Sequence, residues 1–352
     1  MPEMNTFVDR LFDWYAENRR QLPWRCDPSP YEVWVSEVML QQTTVPAVAG
    51  RFEQWMEHFP TLEAVAGASE REILAEWEGL GYYQRATRIH AAAQRIVENH
   101  DGRIPRDRKA LLDLPGVGPY IGAAIRSLAF GADEVAVDAN LCRVFMRLRA
   151  IRGRATKTAV RKKVQNLAAE ILPAGESSRF NQALMDFGSL VCRPSGPDCG
   201  HCFATDLCLG YRKGLQEDIP ERRRKDVEKI DTAVAIFRNV SRIYIQKRPS
   251  DGLFGGMWEF PGGKVEAGET AGEAVRREVR EELAVNCQVR DKLTSFVHYY
   301  TRFRVTLHAF MCVTDEELPE DCKHRWVELA RIEEFPMPSA NRQIIDRLRS
   351  AH

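Results

Sequence analysis

The chain has no net charge: 50 Lys and Arg balance 50 Asp and Glu over 352 residues. Overall charge therefore neither recruits nor repels a polyanion. No stretch approaches the ~18 consecutive apolar residues that a membrane helix needs, which argues against a membrane-spanning protein. The first thirty residues hold Asp9, Arg10, Asp13, Glu17, Arg19 and Arg20 and no apolar core for an export signal. A cytoplasmic protein with no membrane partner is expected. An internal repeat is also lacking. With 44% hydrophobic and 28% charged residues the chain is not disordered, and its length suits two domains at ~100–200 residues each.

Charge is absent in sum but not in distribution. From Arg85 to Lys163 there are seventeen Lys/Arg against seven Asp/Glu, and Arg152, Arg154, Lys157, Arg161, Lys162 and Lys163 have no acid among them. A solvated helix face explains such a run, and so does a surface that tracks phosphates and releases their counterions. Up to residue 213 no segment alternates with period two. Tyr31–Gln42, Glu70–Trp77, Ala86–Asn99 and Lys157–Ile171 carry apolar residues at helical spacing instead. Residues 214–230, with Pro220 and a Glu-Arg-Arg-Arg-Lys-Asp cluster, read as a linker. Beyond them Thr232–Phe237, Ile243–Gln246, Phe296–Tyr300 and Phe303–Phe310 are strand-like, with amphipathic helices at Ala271–Leu283 and Ala340–Leu348. The expectation is multi-domain: an all-α domain over 1–213, then an α/β domain over 231–352.

Nine cysteines without an export signal point to thiols rather than disulfides. Cys192, Cys199, Cys202 and Cys208 form a C-x6-C-x2-C-x5-C pattern, and neighbouring thiolates are costly unless they share a metal. Only one short C-x-x-C pair is present, so the wide, uneven loops fit a [4Fe–4S] cluster better than the competing structural zinc. Leu114-Pro-Gly-Val-Gly-Pro-Tyr120 lies between helical stretches. There Gly116 and Gly118 allow a tight turn, and the next helix offers free N–H groups to a phosphate.

Hairpin, basic stretch and cysteine cluster together resemble the helix-hairpin-helix of the endonuclease III-like DNA glycosylases. Within that superfamily the string Leu22-Pro-Trp24, the run Val33-Trp-Val-Ser-Glu-Val-Met-Leu-Gln-Gln-Thr43 and Gly79-Leu-Gly-Tyr-Tyr83 resemble the MutY-type adenine glycosylases. The resemblance covers nearly the whole chain. Adenine release needs a proton for the leaving base and stabilisation of an oxocarbenium-like sugar. Glu37, among Val33, Trp34, Val38 and Leu40, is expected to be desolvated and protonated as the general acid. Asp138, just downstream of the hairpin, is expected to stay ionised and face the developing cation, and it can also cap the next helix. Tyr120 stands where lyase relatives carry a lysine nucleophile, which implies a monofunctional glycosylase.

The resemblance also implies an adenine pocket formed by Arg20, Leu22, Trp24, Gln41, Tyr120, Gln182 and Met185. Gln41 shares a helix face with Glu37 if the helix runs through residue 42. DNA contacts fall on Gln42, Thr43, Tyr82, Gly116 and Gly118, with adenine flipped from the stack. Cys142 stands where some relatives place a Lys near the opposing base.

The second domain carries Gly263, Glu269 and Arg277-Glu-Val-Arg-Glu-Glu282 at Nudix-box spacing, with Ala284 in place of the box's last glycine. Glu278, Glu281 and Glu282 lie on one helix face, where like charges repel unless a cation such as Mg²⁺ sits among them. Asn341 is similar to a base-contacting residue of MutT-type hydrolases. In MutY-type enzymes this domain inspects 8-oxoguanine, and Tyr300, Thr301 and Arg302 occupy the reading loop. The sequence thus reads as a monomeric adenine DNA glycosylase of base excision repair, acting on A:8-oxoguanine or A:G mispairs in double-stranded DNA. The alternatives are the same enzyme with an active 8-oxo-dGTP hydrolase domain, and a non-catalytic damage-binding protein.

Overall fold

The structure is a computed structural model that describes residues 2–221, 228–249, 254–300 and 303–350. It divides into two compact units, one of Met1–Ala68 with Arg88–Arg224, the other of Ser69–Thr87 with Lys225–His352. The first is helical: α1 (Pro2–Asn18), α2 (Pro30–Met39), α3 (Val45–His58) and α4 (Leu62–Gly67). The chain then supplies α5 (Glu70–Glu76) and the first turn of α6 (Gln84–Asn99) to the second unit. The first unit resumes with the rest of α6, then α7 (Arg108–Leu112), α8 (Pro119–Ala124), α9 (Ala139–Leu148), α10 (Thr158–Ile171), α11 (Ser177–Leu190) and α12 (Leu209–Arg212).

Local chemistry sets the helix starts that matter. Ser29 caps α2 and forms a reciprocal capping box with Glu32, while Pro30 needs no N–H at the first position. Asp138 caps α9 by accepting from Leu141 N at 2.6 Å. Phe7 and Leu11 of α1 pack with Leu141 and Phe145 of α9, Val164 of α10 and Phe180, Leu184 and Phe187 of α11. At about 1.5–3 kcal/mol per buried large apolar side chain, this core holds α9 in place. The first part of the expected linker belongs to the same core. Ile219 is buried within it, and Glu221 N donates to Gly153 O at 2.9 Å.

In the second unit follow β1 (Glu228–Asn239), β2 (Arg242–Lys247), β3 (Trp258–Glu259), β4 (Gly262–Lys264), α13 (Ala271–Leu283), β5 (Gln288–Tyr300), β6 (Phe303–Val313), β7 (His324–Glu328) and α14 (Ser339–Ser350). The sheet runs β3-β2-β1-β6-β5, with β4 on β1 and β7 on β2; β1 and β6 are parallel. Strand β1 is buried on both faces with period two. Val234 and Ile236 meet Ile344, Ile345 and Leu348 of α14. Ala233, Ala235 and Phe237 meet Ala274, Val275, Val279 and Leu283 of α13. Each expected strand lies within a longer observed one. The unforeseen β3, β4 and β7 are short or polar and show no alternation. Among the described residues no helix is long and apolar enough to cross a membrane.

Candidate active site

Glu37 sits on α2, where nearly every residue from Tyr31 to Met39 is buried, and is itself 4% exposed. Its Oε2 accepts from the Tyr120 hydroxyl on α8. Burial pushes Glu37 up to about 7, the Asp138 charge adds to this, and the Tyr120 hydrogen bond and Arg25 work against it. Asp138 is held by Leu141 N and by Asn140 Nδ2 at 2.9 Å. Burial pushes its carboxyl up too, against the pull of those donors and of Arg143. The environment thus favours the charged form less than the sequence alone would have it.

The segment before Asp138 is fixed by a residue the sequence reading missed. Fully buried Asn181 accepts from Ala136 N and donates to Glu134 O, both at 2.9 Å. Gly188 of α11 makes the other close approach, since a Cβ there would stand 2.6 Å from Asn140 Cβ. Arg143 ties Asn140 Oδ1 at 2.7 Å to the Cys192 carbonyl at 2.8 Å.

One cavity of about 750 Å³ brings together Glu37, Asp138, Arg20, Leu22, Trp24, Gln41, Gln42, Thr43, Tyr120, Gln182 and Met185. That size suits a small organic ligand. Leu22, Trp24 and Met185 are buried wall residues, with Trp24 edge-on to Phe52. Gln41 reaches the cavity by a different route than helical spacing implies. Helix α2 stops at Met39 with Leu40 as its cap, and Gln41 lies in the turn beyond. Gln42 then takes the left-handed φ of 59°, a conformation that costs a residue with a Cβ about 1 kcal/mol. Arg25, Asn140 and Arg161 also line the cavity and were not foreseen. Arg161 donates to Val137 O, so one member of the basic run faces this site. Arg143 and Arg147, counted with the basic stretch, are buried structural donors.

Other expected contacts lie apart from the cavity. Gly116 has φ 79°, and a Cβ there would meet Arg88 Cβ at 2.9 Å, so the hairpin needs glycine. Gly118 caps α8 with no side-chain bond and open space around it. Tyr82 belongs to the second unit, is 37% exposed and has the left-handed φ of 48°. Tyr300 ends β5, with its ring against Phe254 and His298 and its hydroxyl accepting from Ala340 N at 3.3 Å. Thr301 and Arg302 lie outside the described residues. Cys142 is fully buried, with its Sγ 3.8 Å from Met146 Sδ.

Cys192, Cys199, Cys202 and Cys208 line one small cavity. Arg147 Nη1 donates to Cys192 Sγ and Ala204 N to Cys202 Sγ, each at 3.4 Å. Burial pushes Cys202 up to about 12 and raises Cys199 and Cys208, and the neighbouring thiols add to the effect. Thiolates here require a cation. Among the described residues no three His, Cys, Asp or Glu converge on a single metal ion. Four thiols lining one cavity are the donor type that a metal or iron–sulfur group takes.

Glu278, Glu281 and Glu282 do share one side of α13, but protein donors occupy them. Arg277 Nη1 reaches Glu278 at 2.8 Å and Glu281 at 3.2 Å. Glu282 accepts from Gln246 Nε2 at 2.7 Å and Gly262 N at 3.0 Å. The repulsion expected to demand Mg²⁺ is relieved by an internal guanidinium. Asn341 is buried with Oδ1 accepting from Phe260 N at 3.1 Å. Ala284 ends α13 with φ 57°, so the box's glycine position does require left-handed backbone.

Residues 35–170 match the HhH-GPD superfamily of base excision DNA repair proteins, and 232–347 match the NUDIX domain. The chain is 32% identical to the adenine DNA glycosylase of Mus musculus, over 89% of this chain and 72% of that one. To the adenine DNA glycosylase of Homo sapiens it is 33% identical, over 74% of this chain and 58% of that one. Among solved structures a thermostable thymine-DNA glycosylase aligns with TM-score 0.55 and 32% identity, over 60% of this chain and 98% of its own. An endonuclease III–DNA complex aligns with TM-score 0.53 and 25% identity, over 60% and 96%. With the mouse relative matched along most of both sequences, the chain belongs to the adenine DNA glycosylase family of the HhH-GPD superfamily.

Proposed function

We propose that this protein hydrolyses the N-glycosidic bond of adenine mispaired with 8-oxoguanine or guanine in duplex DNA. The observation that carries the reading is Glu37, a buried carboxyl pushed up to about 7 and held by Tyr120, facing the same cavity as Asp138. A base inside a duplex cannot reach such a site, so adenine must be extruded. Gln42, in left-handed backbone, would enter the stack in adenine's place, and the resemblance gives Tyr82 of the second unit a DNA contact of its own. Glu37 gives its proton to the departing base, and Asp138 in its ionised form faces the oxocarbenium-like sugar. No lysine lines the cavity among the described residues, and Tyr120 stands where the resemblance to lyase relatives would place a lysine nucleophile. Base release should therefore leave an intact abasic site.

Gly116 and the uncapped start of α8 would hold a backbone phosphate, and the second unit would read the opposing base around Tyr300, Thr301 and Arg302. The engagement of Glu278, Glu281 and Glu282 by protein donors favours recognition over nucleotide hydrolysis. Cys192, Cys199, Cys202 and Cys208 would hold a [4Fe–4S] cluster, which when bound would cross-link the 192–208 segment through iron–thiolate bonds. The purified protein should then be brown and absorb near about 400 nm.

The deciding experiment is single-turnover base release from duplexes carrying adenine opposite 8-oxoguanine, guanine or cytosine. Release from the first two, without strand cleavage until alkali is added, is expected. Equal release from all three, or strand cleavage in step with base loss, would overturn the assignment.

A further inference from the structure

A further carboxylate shapes the cavity without lining it. Asp186 lies on α11, next to Met185 and four residues from Gln182, with its side chain wholly shielded from solvent. It accepts from Arg20 Nε at 2.7 Å and Arg20 N at 3.1 Å, and from Arg25 Nη1 at 2.7 Å and Nη2 at 3.0 Å. Both guanidiniums line the cavity that holds Glu37, and Asp186 does not. Burial pushes Asp186 up, but Arg25 and Arg20 outweigh it and hold the carboxyl below its usual range. Two cations this close repel each other unless an anion lies between them. The geometry points to Asp186 as a positioning residue for adenine release: it fixes Arg20 and Arg25 on the cavity wall and cancels one of their two charges, setting the field in which Glu37 gives up its proton.

This rests on Glu37 as the proton donor. Glu37 is faced by Tyr120 from α8, Asp138 from the start of α9 and Arg25 from the loop after α1, with Arg20, Asp27 and Arg161 elsewhere on the cavity wall. Asp186 is faced by Arg20 and Arg25, and Tyr15 of α1 shares its field. Arg25 already pulls Glu37 toward ionisation. Removing the Asp186 charge leaves two uncompensated cations on that wall, and an ionised Glu37 can no longer protonate the base.

The test is the pH profile of single-turnover adenine release for the wild type, Asp186→Asn, Arg20→Gln, the double variant Asp186→Asn/Arg20→Gln, and Glu37→Gln. Asp186→Asn should move the alkaline limb to lower pH by about half a unit, roughly threefold in proton affinity. The double variant, which restores one net positive charge, should bring the limb back. Should Asp186→Asn not fold, Arg20→Gln carries the test, because losing one cation must move the limb to higher pH. Uniform slowing at every pH with the limb unmoved in the folded variants overturns the proposal while leaving Glu37 in its role. A fully active Glu37→Gln would instead remove the proton donor and the proposal with it.

Discussion

The two units each carry a glutamate pushed up to about 7, Glu37 buried and Glu259 partly buried, and they differ in what the carboxyl touches. Glu37 in the helical unit meets a neutral hydroxyl, that of Tyr120, and an acid across a cavity. Glu259 in the sheet unit meets the Arg248 guanidinium directly. Burial supplies the upward push in both. A paired cation gives Glu259 a fixed ionic partner, whereas Glu37 keeps a transferable proton and an open space beside it. The carboxylates of the Nudix helix extend the contrast, since Arg277 spans Glu269, Glu278 and Glu281. Carboxyl groups in number make a charge lattice; a single buried carboxyl hydrogen-bonded to a neutral hydroxyl rather than ion-paired makes an acid.

The comparison breaks most sharply in catalysis. Glu37→Gln and Asp138→Asn should each lower single-turnover adenine release by about 10³-fold or more. Glu281→Gln should leave it within about twofold, because its carboxylate only completes an exposed pair with Arg277. Comparable losses from the two sets would mean that environment does not distinguish these groups.

A smaller effect should appear in stability. The Glu37 carboxyl rises from its ordinary 4.5 to about 7 in the folded state. Below 4.5 both states are protonated and nothing is lost. As pH climbs from 4.5 to 7 the unfolded chain ionises first, so the native state is progressively destabilised, fully above 7. Glu37→Gln should therefore be the more stable protein at pH 8 by roughly 2–3 kcal/mol and gain little at pH 4. Urea unfolding at the two pH values reads this. A gain of equal size at both would show that the burial penalty is not ionic.

The smallest expected effect lies at the end of the Nudix helix. Ala284 holds φ 57° where its box has glycine. Ala284→Gly should stabilise the protein by about 1 kcal/mol by relieving the left-handed Cβ, visible as a raised urea midpoint. A lowered midpoint would show that the unfolded-chain entropy of glycine outweighs the strain.

Much of this protein could be read from its residues alone, because local rules decide local features. The Ala271–Leu283 helix emerged with its own limits from its amphipathic apolar stripe, and Glu37, with apolar neighbours on α2, was legible as a desolvated acid. Residues far apart in sequence and joined only in space were not legible. Nothing near Asp186 announces that it would bind Arg20 and Arg25, more than 160 residues away, and nothing near Asn181 foretells its hold on Glu134 and Ala136. Spacing placed Gln41 on a helix face, but α2 ends at Met39 and the turn carries it to the cavity instead. Spacing also put three glutamates together and called for a cation, and the fold answered with Arg277. Sequence determines which groups can ionise and which segments can curl, because those depend on neighbours along the chain. Only tertiary structure decides which charges are shielded, and by whom, because desolvation and pairing depend on neighbours in space.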